Sequence, residues 1–295
     1  MAQSVSLAPA QDRVFLDTDG AVGLVAGWGQ FPFTFAEKAT AMGLKVACIG
    51  LNGSADPALA NHVWRFGWAG PAQIGRMIRF FRRHGVRQLV MAGKVQKAEI
   101  MYKPWKILTL RPDLRGLHAW FFHKRQDNKD DSVLLAFIDE FARDQMTFAS
   151  ALDICPELLV KPGVLTRRQP TKAEYADITF GWELAKEMGR LDVGQSVAVK
   201  DRAVLAVEAI EGTDKAILRA GELCHVGGFT VIKVAKPNQD MRFDVPTVGR
   251  QTIETMHKAR ACVLAIEAGR TIFLEQTQTL ALADKLGIAI VSLEG

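Results

Sequence analysis

The stretch Val22-Gly-Leu-Val-Ala-Gly-Trp-Gly-Gln-Phe-Pro32 decides the fold of the first half of this chain. Its apolar run is typical of a buried strand, Gly27-Trp28-Gly29 breaks that run, and a proline such as Pro32 is tolerated where a helix begins. Further strand-like runs alternate with helical periodicity: the runs are 45–50 and Gln88–Ala92, and the helical segments are 71–84 and 130–143. Such alternation predicts an open, mostly parallel sheet with flanking helices, a Rossmann-like α/β domain.

The second half of the chain has a different pattern, that of a mixed α/β domain. Thr171 and Glu174 have the spacing of a capping box ahead of a helix. Two β-branched runs on either side of Lys200-Asp-Arg202 predict a hairpin. Residues 155–170 hold three prolines and a glycine, which is typical of a linker. The expected organisation is an extension at 1–18, a Rossmann-like N-terminal domain at 19–158 and a mixed α/β C-terminal domain at 159–295.

Composition and cysteine usage exclude several classes of protein. The 295 residues are 48% hydrophobic and 23% charged, which excludes disordered, collagen-like and coiled-coil chains. The four cysteines form no C-x-x-C pair, so the sequence indicates a reducing compartment rather than a disulfide scaffold. No apolar window reaches the ~18 residues of a membrane span, and residues 1–18 lack the pattern of a signal peptide. We therefore expect a cytoplasmic protein.

A mild basic excess gives the chain a net charge of +5. This charge suits an anionic partner, such as a phosphate ester or an acidic membrane face, and does not require nucleic acid. Basic and aromatic residues that can lie at an anionic membrane surface are Arg76, Arg79, Arg82 and Arg83 and the segments 103–106 and 117–125. A solvated helix face with core aromatics explains the same residues. Peripheral membrane contact and a homo-oligomer are left open.

The first group of candidate binding residues follows two strands of the predicted parallel sheet. Gly27, Trp28, Gly29 and Gln30 come after the first strand, and Gly93-Lys94 ends another. Glycines allow a backbone to approach a phosphate, and a lysine at the carboxyl edge of such a sheet can bind one. The pattern is not a full G-x-G-x-x-G, which disfavours a dinucleotide. A tight turn and a solvated lysine are the bland alternatives.

Acidic residues supply a second group of candidates. Asp130 stands at a predicted helix start, where it either complements the helix dipole or faces the same crevice. In the second half, Glu208, Gly212, Thr213 and Asp214 lie between a strand and a helix. They can offer carboxylates, backbone N–H groups and a hydroxyl, although helix capping also explains Thr213. Glu267, directly after another apolar run, is a weaker acidic candidate.

The densest polar segment is Lys236-Pro-Asn-Gln-Asp-Met-Arg-Phe-Asp-Val-Pro246. If it is extended, Asp240, Arg242 and Asp244 point to one face of the strand. Carboxylate oxygens are ligands that Mg²⁺ prefers, and a guanidinium binds phosphate oxygens bidentately. An exposed ladder of ion pairs is an equally good explanation of the same three residues.

Several common catalytic motifs are absent from the sequence. It contains no H-E-x-x-H or H-x-x-x-H, no G-x-S-x-G and no G-x-x-x-x-G-K-[ST]. A zinc hydrolase, a serine hydrolase of the α/β type and a P-loop NTPase are therefore disfavoured.

Five segments together resemble one known family. They are Gly23-Leu-Val-Ala-Gly-Trp-Gly-Gln-Phe-Pro32, Ala92-Gly-Lys-Val95, Leu205-Ala-Val-Glu-Ala-Ile-Glu-Gly-Thr-Asp214, the segment 236–246 quoted above and Ala265-Ile-Glu-Ala-Gly269. On these motifs the chain, from about residue 20 to its end, resembles the two-domain, metal-dependent UDP-2,3-diacylglucosamine pyrophosphatases (LpxI type) of lipid A and lipopolysaccharide biosynthesis.

The resemblance implies a hydrolase that converts UDP-2,3-diacylglucosamine to lipid X and UMP at the cytoplasmic face of the inner membrane. It also implies attack of water at the α-phosphorus and dependence on Mg²⁺, with Mn²⁺ as an alternative. A non-catalytic protein that binds a nucleotide or lipid phosphate is the alternative from another class, and a nucleotide-sugar transferase is a third.

Site residues follow from the resemblance and the patterns above. The expected catalytic residues are Asp240, Arg242 and Asp244, and the expected metal ligands are Asp240 and Asp214. The expected substrate-binding residues are Gly27, Trp28, Gly29, Gln30, Gly93, Lys94, Asp130, Glu208, Gly212, Thr213 and Lys236.

Overall fold

The structure, a computed structural model, describes residues 20–94, 111–123, 130–237, 239–242 and 245–295. The chain divides into two compact units, Met1–Cys155 and Pro156–Gly295. The division lies within the segment predicted as a linker and three residues before the boundary that we placed after residue 158. The predicted extension at 1–18 lies outside the described residues. Within the described ranges, no helix has both the length and the apolar character that crossing a bilayer requires.

A five-stranded parallel sheet forms the centre of the first unit. Its strands are β1 (Ala21–Ala26), β2 (Lys45–Leu51), β3 (Arg65–Ala69), β4 (Gln88–Ala92) and β5 (Thr147–Phe148), in the order β3-β2-β1-β4-β5. The helices described around it are α1 (Phe31–Ala41), α2 (Ile74–Arg83), α3 (Leu114–His123) and α4 (Asp130–Ala142). The strand order reverses beside β1, so the carboxyl ends of β1 and β4 lie next to each other at a topological switch point.

Burial follows the sequence pattern in this unit. Strand β1 is almost wholly buried, as expected for a parallel strand covered on both faces. Along α2, Ile74, Met77, Ile78 and Phe81 are buried whereas the arginines of the helix are exposed, which confirms the predicted periodicity. Strand β3 was not predicted: Arg65-Phe-Gly-Trp-Ala69 is short and holds a glycine at its centre, and it is an edge strand, buried only at Ala69.

A six-stranded mixed sheet forms the centre of the second unit. Its strands are β6 (Gly163–Val164), β7 (Ser196–Lys200), β8 (Ala203–Val207), β9 (Phe229–Lys233), β11 (Ala261–Glu267) and β13 (Ala289–Leu293), in the order β6-β13-β11-β9-β7-β8. A separate parallel pair is formed by β10 (Thr247–Val248) and β12 (Ile272–Phe273). The helices are α5 (Lys172–Arg190), α6 (Thr213–Leu223), α7 (Arg250–Ala259) and α8 (Gln276–Leu286).

Two local predictions in this unit are confirmed. The Thr171 hydroxyl accepts the N–H of Glu174 while the Glu174 carboxylate accepts the N–H of Thr171, which is the capping box at the start of α5. Strands β7 and β8 form the expected antiparallel hairpin. Its turn places Asp201 and Arg202 at φ 51° and 59°, the backbone that a two-residue hairpin turn requires.

The direction of the strands determines where the polar residues meet. Strand β7 is antiparallel to both β8 and β9, so β8 and β9 run the same way, and β9, β11 and β13 are mutually parallel. The carboxyl ends of these four strands therefore lie at one edge of the sheet. Glu208 directly follows β8, Lys236 comes three residues after β9, and Glu267 is the last residue of β11, so all three are brought to that edge.

Candidate functional site

In the first unit, backbone hydrogen bonds join the segments that follow β1 and β4. The N–H of Trp28 donates to the Lys94 carbonyl at 2.8 Å, and the N–H of Lys94 donates to the Trp28 carbonyl at 2.8 Å. The N–H of Gly27 donates to the carbonyl of Ala92 at 2.8 Å. The structure therefore brings together the two glycine-containing segments that the sequence analysis placed at the same sheet edge.

Both glycines at this junction are required by close backbone contact. A Cβ atom at Gly27 would lie 2.6 Å from the Lys94 carbonyl oxygen. Gly93 has φ +93°, and a Cβ atom there would lie 2.8 Å from the Gly27 carbonyl carbon. The side chains that project from the junction are exposed: Lys94, and Trp28 at 53%. Close backbone contact is therefore enough to explain both glycines, and an indole and an ammonium group are exposed beside them.

The beginning of α1 adjoins this junction. Gln30 is the N-cap residue, and its side chain makes no capping hydrogen bond. Gly29 precedes it at φ +109°, and the first turn of the helix contains no acidic residue. Pro32, in that turn, has no N–H group, and the N–H groups of Phe33 and Thr34 donate to the Gln30 carbonyl at 3.0 and 3.1 Å, so these positions are not available to an anion. Asp130, the other candidate of this unit, is the first residue of α4 as predicted, and the structure describes only its backbone.

In the second unit, Glu208 follows β8 and is 7% exposed. The Thr213 hydroxyl donates to Glu208 Oε1 at 3.0 Å, and Ser196 Oγ lies 3.4 Å from Thr213 Oγ1. Capping does not explain Thr213, because Gly212, at φ +84°, is the N-cap residue and Thr213 is the first residue of α6. That alternative is therefore wrong, and the side chain of Thr213 serves the carboxylate of Glu208 instead.

Asp240 and Arg242 lie in a turn and not in the extended strand that we considered. Arg242 donates to both oxygens of Asp240, from Nε at 3.0 and 3.1 Å and from Nη2 at 2.7 Å. The backbone N–H of Arg242 also donates to Asp240 Oδ1 at 3.0 Å, which closes the turn. These hydrogen bonds to Asp240 raise the pKa of Arg242 above its ordinary value. Asp244 lies outside the described residues.

Glu267, the weakest acidic candidate, is the most buried carboxylate of this edge at 1% exposure. Its Oε1 lies 2.6 Å from Lys186 Nζ, and its Oε2 accepts the N–H of Ala235 at 2.7 Å. One residue further, Lys236 pairs with Asp192 at 2.5 Å. Glu267 and Lys186 therefore fix the start of the segment that carries Asp240. No sequence pattern pointed to Lys186, on α5, or to Asp192, just after that helix, because both lie far along the chain from the residues that they contact.

The two proposed metal ligands, Asp214 and Asp240, have the carboxylate oxygens that Mg²⁺ prefers. Asp214 lies in the first turn of α6, and both oxygens of Asp240 already accept hydrogen bonds from Arg242. In the part of the chain that the structure describes, no three His, Cys, Asp or Glu side chains are grouped so that they could hold an ion.

Comparison with known proteins covers both units. A family model for the LpxI N-terminal domain matches residues 21–158, and one for the LpxI C-terminal domain matches residues 161–291. A curated protein of *Caulobacter vibrioides*, UDP-2,3-diacylglucosamine pyrophosphatase LpxI, is 30% identical over 283 residues. The match covers 92% of this chain and 97% of that protein.

Proposed function

The chain belongs to the LpxI family, and from this premise we propose that it is a hydrolase that cleaves UDP-2,3-diacylglucosamine to lipid X and UMP in lipid A biosynthesis. The proposal rests on the match of the two units, in order, to the two domains of the family. The relative that is matched over 92% of this chain and 97% of its own length has this activity in its name. Polar side chains gathered at the carboxyl ends of the strands in each unit support it.

The junction in the first unit suits an anionic nucleotide or sugar phosphate. The Gly27 and Gly93 backbones allow close approach, Lys94 supplies a positive charge, and the indole of Trp28 offers a flat apolar surface for a base or sugar ring. We assign Gln30 and these four residues to substrate binding.

The edge in the second unit suits the chemical step. Water attacks the α-phosphorus, the bond from that phosphorus to the bridging oxygen breaks, and the phosphate of lipid X leaves. Charge that accumulates on the phosphoryl oxygens needs positive groups held in place, because phosphoryl transfer is largely positioning and electrostatic stabilisation. We propose that Arg242 and Lys236 supply this charge. Mg²⁺ dependence, with Mn²⁺ as an alternative, remains part of the proposal on the strength of the family.

An oxygen-isotope experiment tests the reaction and its site of attack. The protein is incubated with UDP-2,3-diacylglucosamine and Mg²⁺ in ¹⁸O-water, and both products are analysed by mass. We expect ¹⁸O in UMP and none in lipid X. Label in lipid X would mean attack at the β-phosphorus. Binding without products would favour the non-catalytic alternative, and activity that survives EDTA would contradict metal dependence.

A membrane-binding experiment tests the basic face of α2. Arg79 and Arg83 are exposed, and basic side chains are attracted to anionic lipid within a Debye length. We expect binding to phosphatidylglycerol vesicles in low salt, loss of that binding in high salt, and roughly tenfold weaker binding of an Arg79→Gln/Arg83→Gln variant. A Lys172→Gln/Lys258→Gln variant, with the same change of charge in the second unit, is the control. Binding that ignores salt would refute this prediction.

A further inference from the structure

A row of buried polar side chains crosses the sheet of the second unit at its carboxyl edge. Ser196 on β7 pairs in register with Lys233 on β9, and the N–H of Glu208 donates to the Ser196 carbonyl at 2.8 Å. Ser196, Lys233 and Glu208 are 3%, 5% and 7% exposed. Polar groups buried in a sheet interior are costly, so a row of them needs an explanation.

This row faces the helix that begins beside it. Ser196, Glu208 and Lys233 each lie two residues along the chain from a buried residue: Ala198, Ala206 and Val231, respectively. Those three residues belong to the same hydrophobic core as Ile217 and Ala220 of α6. Because side chains of a strand alternate between faces, Ser196, Lys233 and Glu208 share the α6 face. The hydrogen bond from Thr213, the first residue of α6, to Glu208 agrees with this placement.

Glu208 has one oxygen engaged and one free. Oε1 accepts the Thr213 hydroxyl, whose oxygen lies 3.4 Å from Ser196 Oγ. Oε2 is buried and has no hydrogen-bond partner among the residues that the structure describes. A buried acceptor without a donor is rare in folded proteins, and an unpaired carboxylate oxygen is among the costliest cases. The geometry therefore points to a donor that arrives with the substrate or the reacting water.

The surroundings of Oε2 indicate which donor this is. Gly212 at the N-cap has open space where a Cβ atom would stand, and no side chain caps α6. The N–H groups of the first turn can therefore bind a phosphate oxygen close to the Glu208 carboxylate. A carboxylate repels phosphate, so a group between the two is either a cation or a proton donor, and a water molecule about to attack phosphorus is a proton donor.

We propose that Glu208 is the general base of the hydrolysis, an assignment that rests on the proposed function. The oxygen of water forms a bond to the α-phosphorus, and its proton passes to Glu208 Oε2. The bond from the α-phosphorus to the bridging oxygen breaks, and the lipid X phosphate leaves with the electron pair. Thr213 is a positioning residue, because its hydroxyl occupies Oε1 and leaves Oε2 as the basic oxygen, and Ser196 supports it through the 3.4 Å contact with the Thr213 hydroxyl.

Glu208→Gln is the decisive variant. Glutamine has the same size and keeps a carbonyl oxygen for Thr213, but an amide group replaces the oxygen that would accept the proton. We expect kcat to fall about 10²–10⁴-fold, the range for loss of a general base, with KM within about twofold of the parent value. Thr213→Val should lower kcat by a smaller factor. Glu222→Gln, which removes an exposed carboxylate from the far end of α6, is the matched control and should leave both parameters unchanged.

Other results of this experiment would overturn the assignment. Retained kcat in a folded Glu208→Gln variant would remove Glu208 from the chemical step. A raised KM with normal kcat would make it a binding residue that reads a substrate hydroxyl. Loss of Mn²⁺ affinity in calorimetry would make it a metal ligand. If the melting curve shows that Glu208→Gln does not fold, the Glu208→Asp variant tests the assignment instead. Aspartate moves the carboxylate away from the substrate, so kcat should fall if this group is the base and should stay the same if its role is purely structural. An unaltered protein without turnover would refute the proposed function itself.

Discussion

Replacing Asp240 by alanine is expected to abolish hydrolysis while the substrate still binds. The Asp240 carboxylate accepts three hydrogen bonds from the Arg242 guanidinium and one from the Arg242 backbone N–H. This carboxylate therefore fixes the orientation of the guanidinium. The substitution also removes one of the two predicted metal ligands and one negative charge near a pyrophosphate. We expect kcat to fall at least ~100-fold, because a group that acts on the transition state lowers kcat without raising the substrate dissociation constant.

Calorimetry beside turnover measures this result, and we expect affinity equal to or tighter than that of the unaltered protein. Asp240→Asn separates two roles of the carboxylate, since asparagine still accepts a hydrogen bond from Arg242 but lacks the charge. Glu254→Ala is the matched control, because it also breaks an Arg–carboxylate pair, the 2.7 Å pair with Arg250, on an exposed helix face. Near-normal turnover of Asp240→Ala would remove Asp240 from the mechanism, and a collapsed melting temperature would make its role structural.

Replacing Glu267 by alanine is expected to destabilise the second unit strongly. The carboxylate is 1% exposed and holds both Lys186 Nζ, at 2.6 Å, and the N–H of Ala235, at 2.7 Å. Its removal leaves the partly buried Lys186 ammonium and a buried N–H without their partner. Removing one partner of a buried ion pair lowers the free energy of unfolding by about 3–5 kcal/mol. We therefore expect a loss of this size in the free energy of unfolding, measured by urea denaturation.

Two further variants define the origin of that loss. Glu267→Gln keeps an acceptor for Ala235 and should be milder than alanine. Lys186→Met combined with Glu267→Gln removes both charges, and it should recover part of the stability because no buried charge is then left unpaired. Glu187→Ala, which breaks the exposed pair with Arg190 one position along α5, should leave the unfolding curve unchanged. Equal unfolding curves for Glu267→Ala and the unaltered protein would show that the hydrogen bonds of Glu267 to Lys186 and Ala235 do not stabilise the second unit.

Local patterns predicted much of the secondary structure. Strand β4 and the helices α2 and α4 came from periodicity and end signals, and the hairpin β7–β8 came from its β-branched runs. Where local signals were weak, prediction failed. Strand β3 is short, has a glycine at its centre and pairs only with β2 at the edge of the sheet, so its local signal is weak. The segment with Asp240 contains alternating polar residues, yet the Asp240 carboxylate closes a turn on the N–H of Arg242.

Sequence patterns alone were enough to predict two α/β units, a glycine-rich junction after β1, and the family to which the chain belongs. These features depend on periodicity, on backbone freedom and on motifs contiguous in the chain. Three-dimensional contacts were needed to show that Thr213 serves Glu208 and does not cap α6, that Glu267 pairs with Lys186 81 residues away, and that Glu208 Oε2 has no hydrogen-bond partner among the described residues. Strand direction and register bring such residues together. No local pattern encodes which distant side chain will donate a hydrogen bond to a buried acceptor, or whether any will.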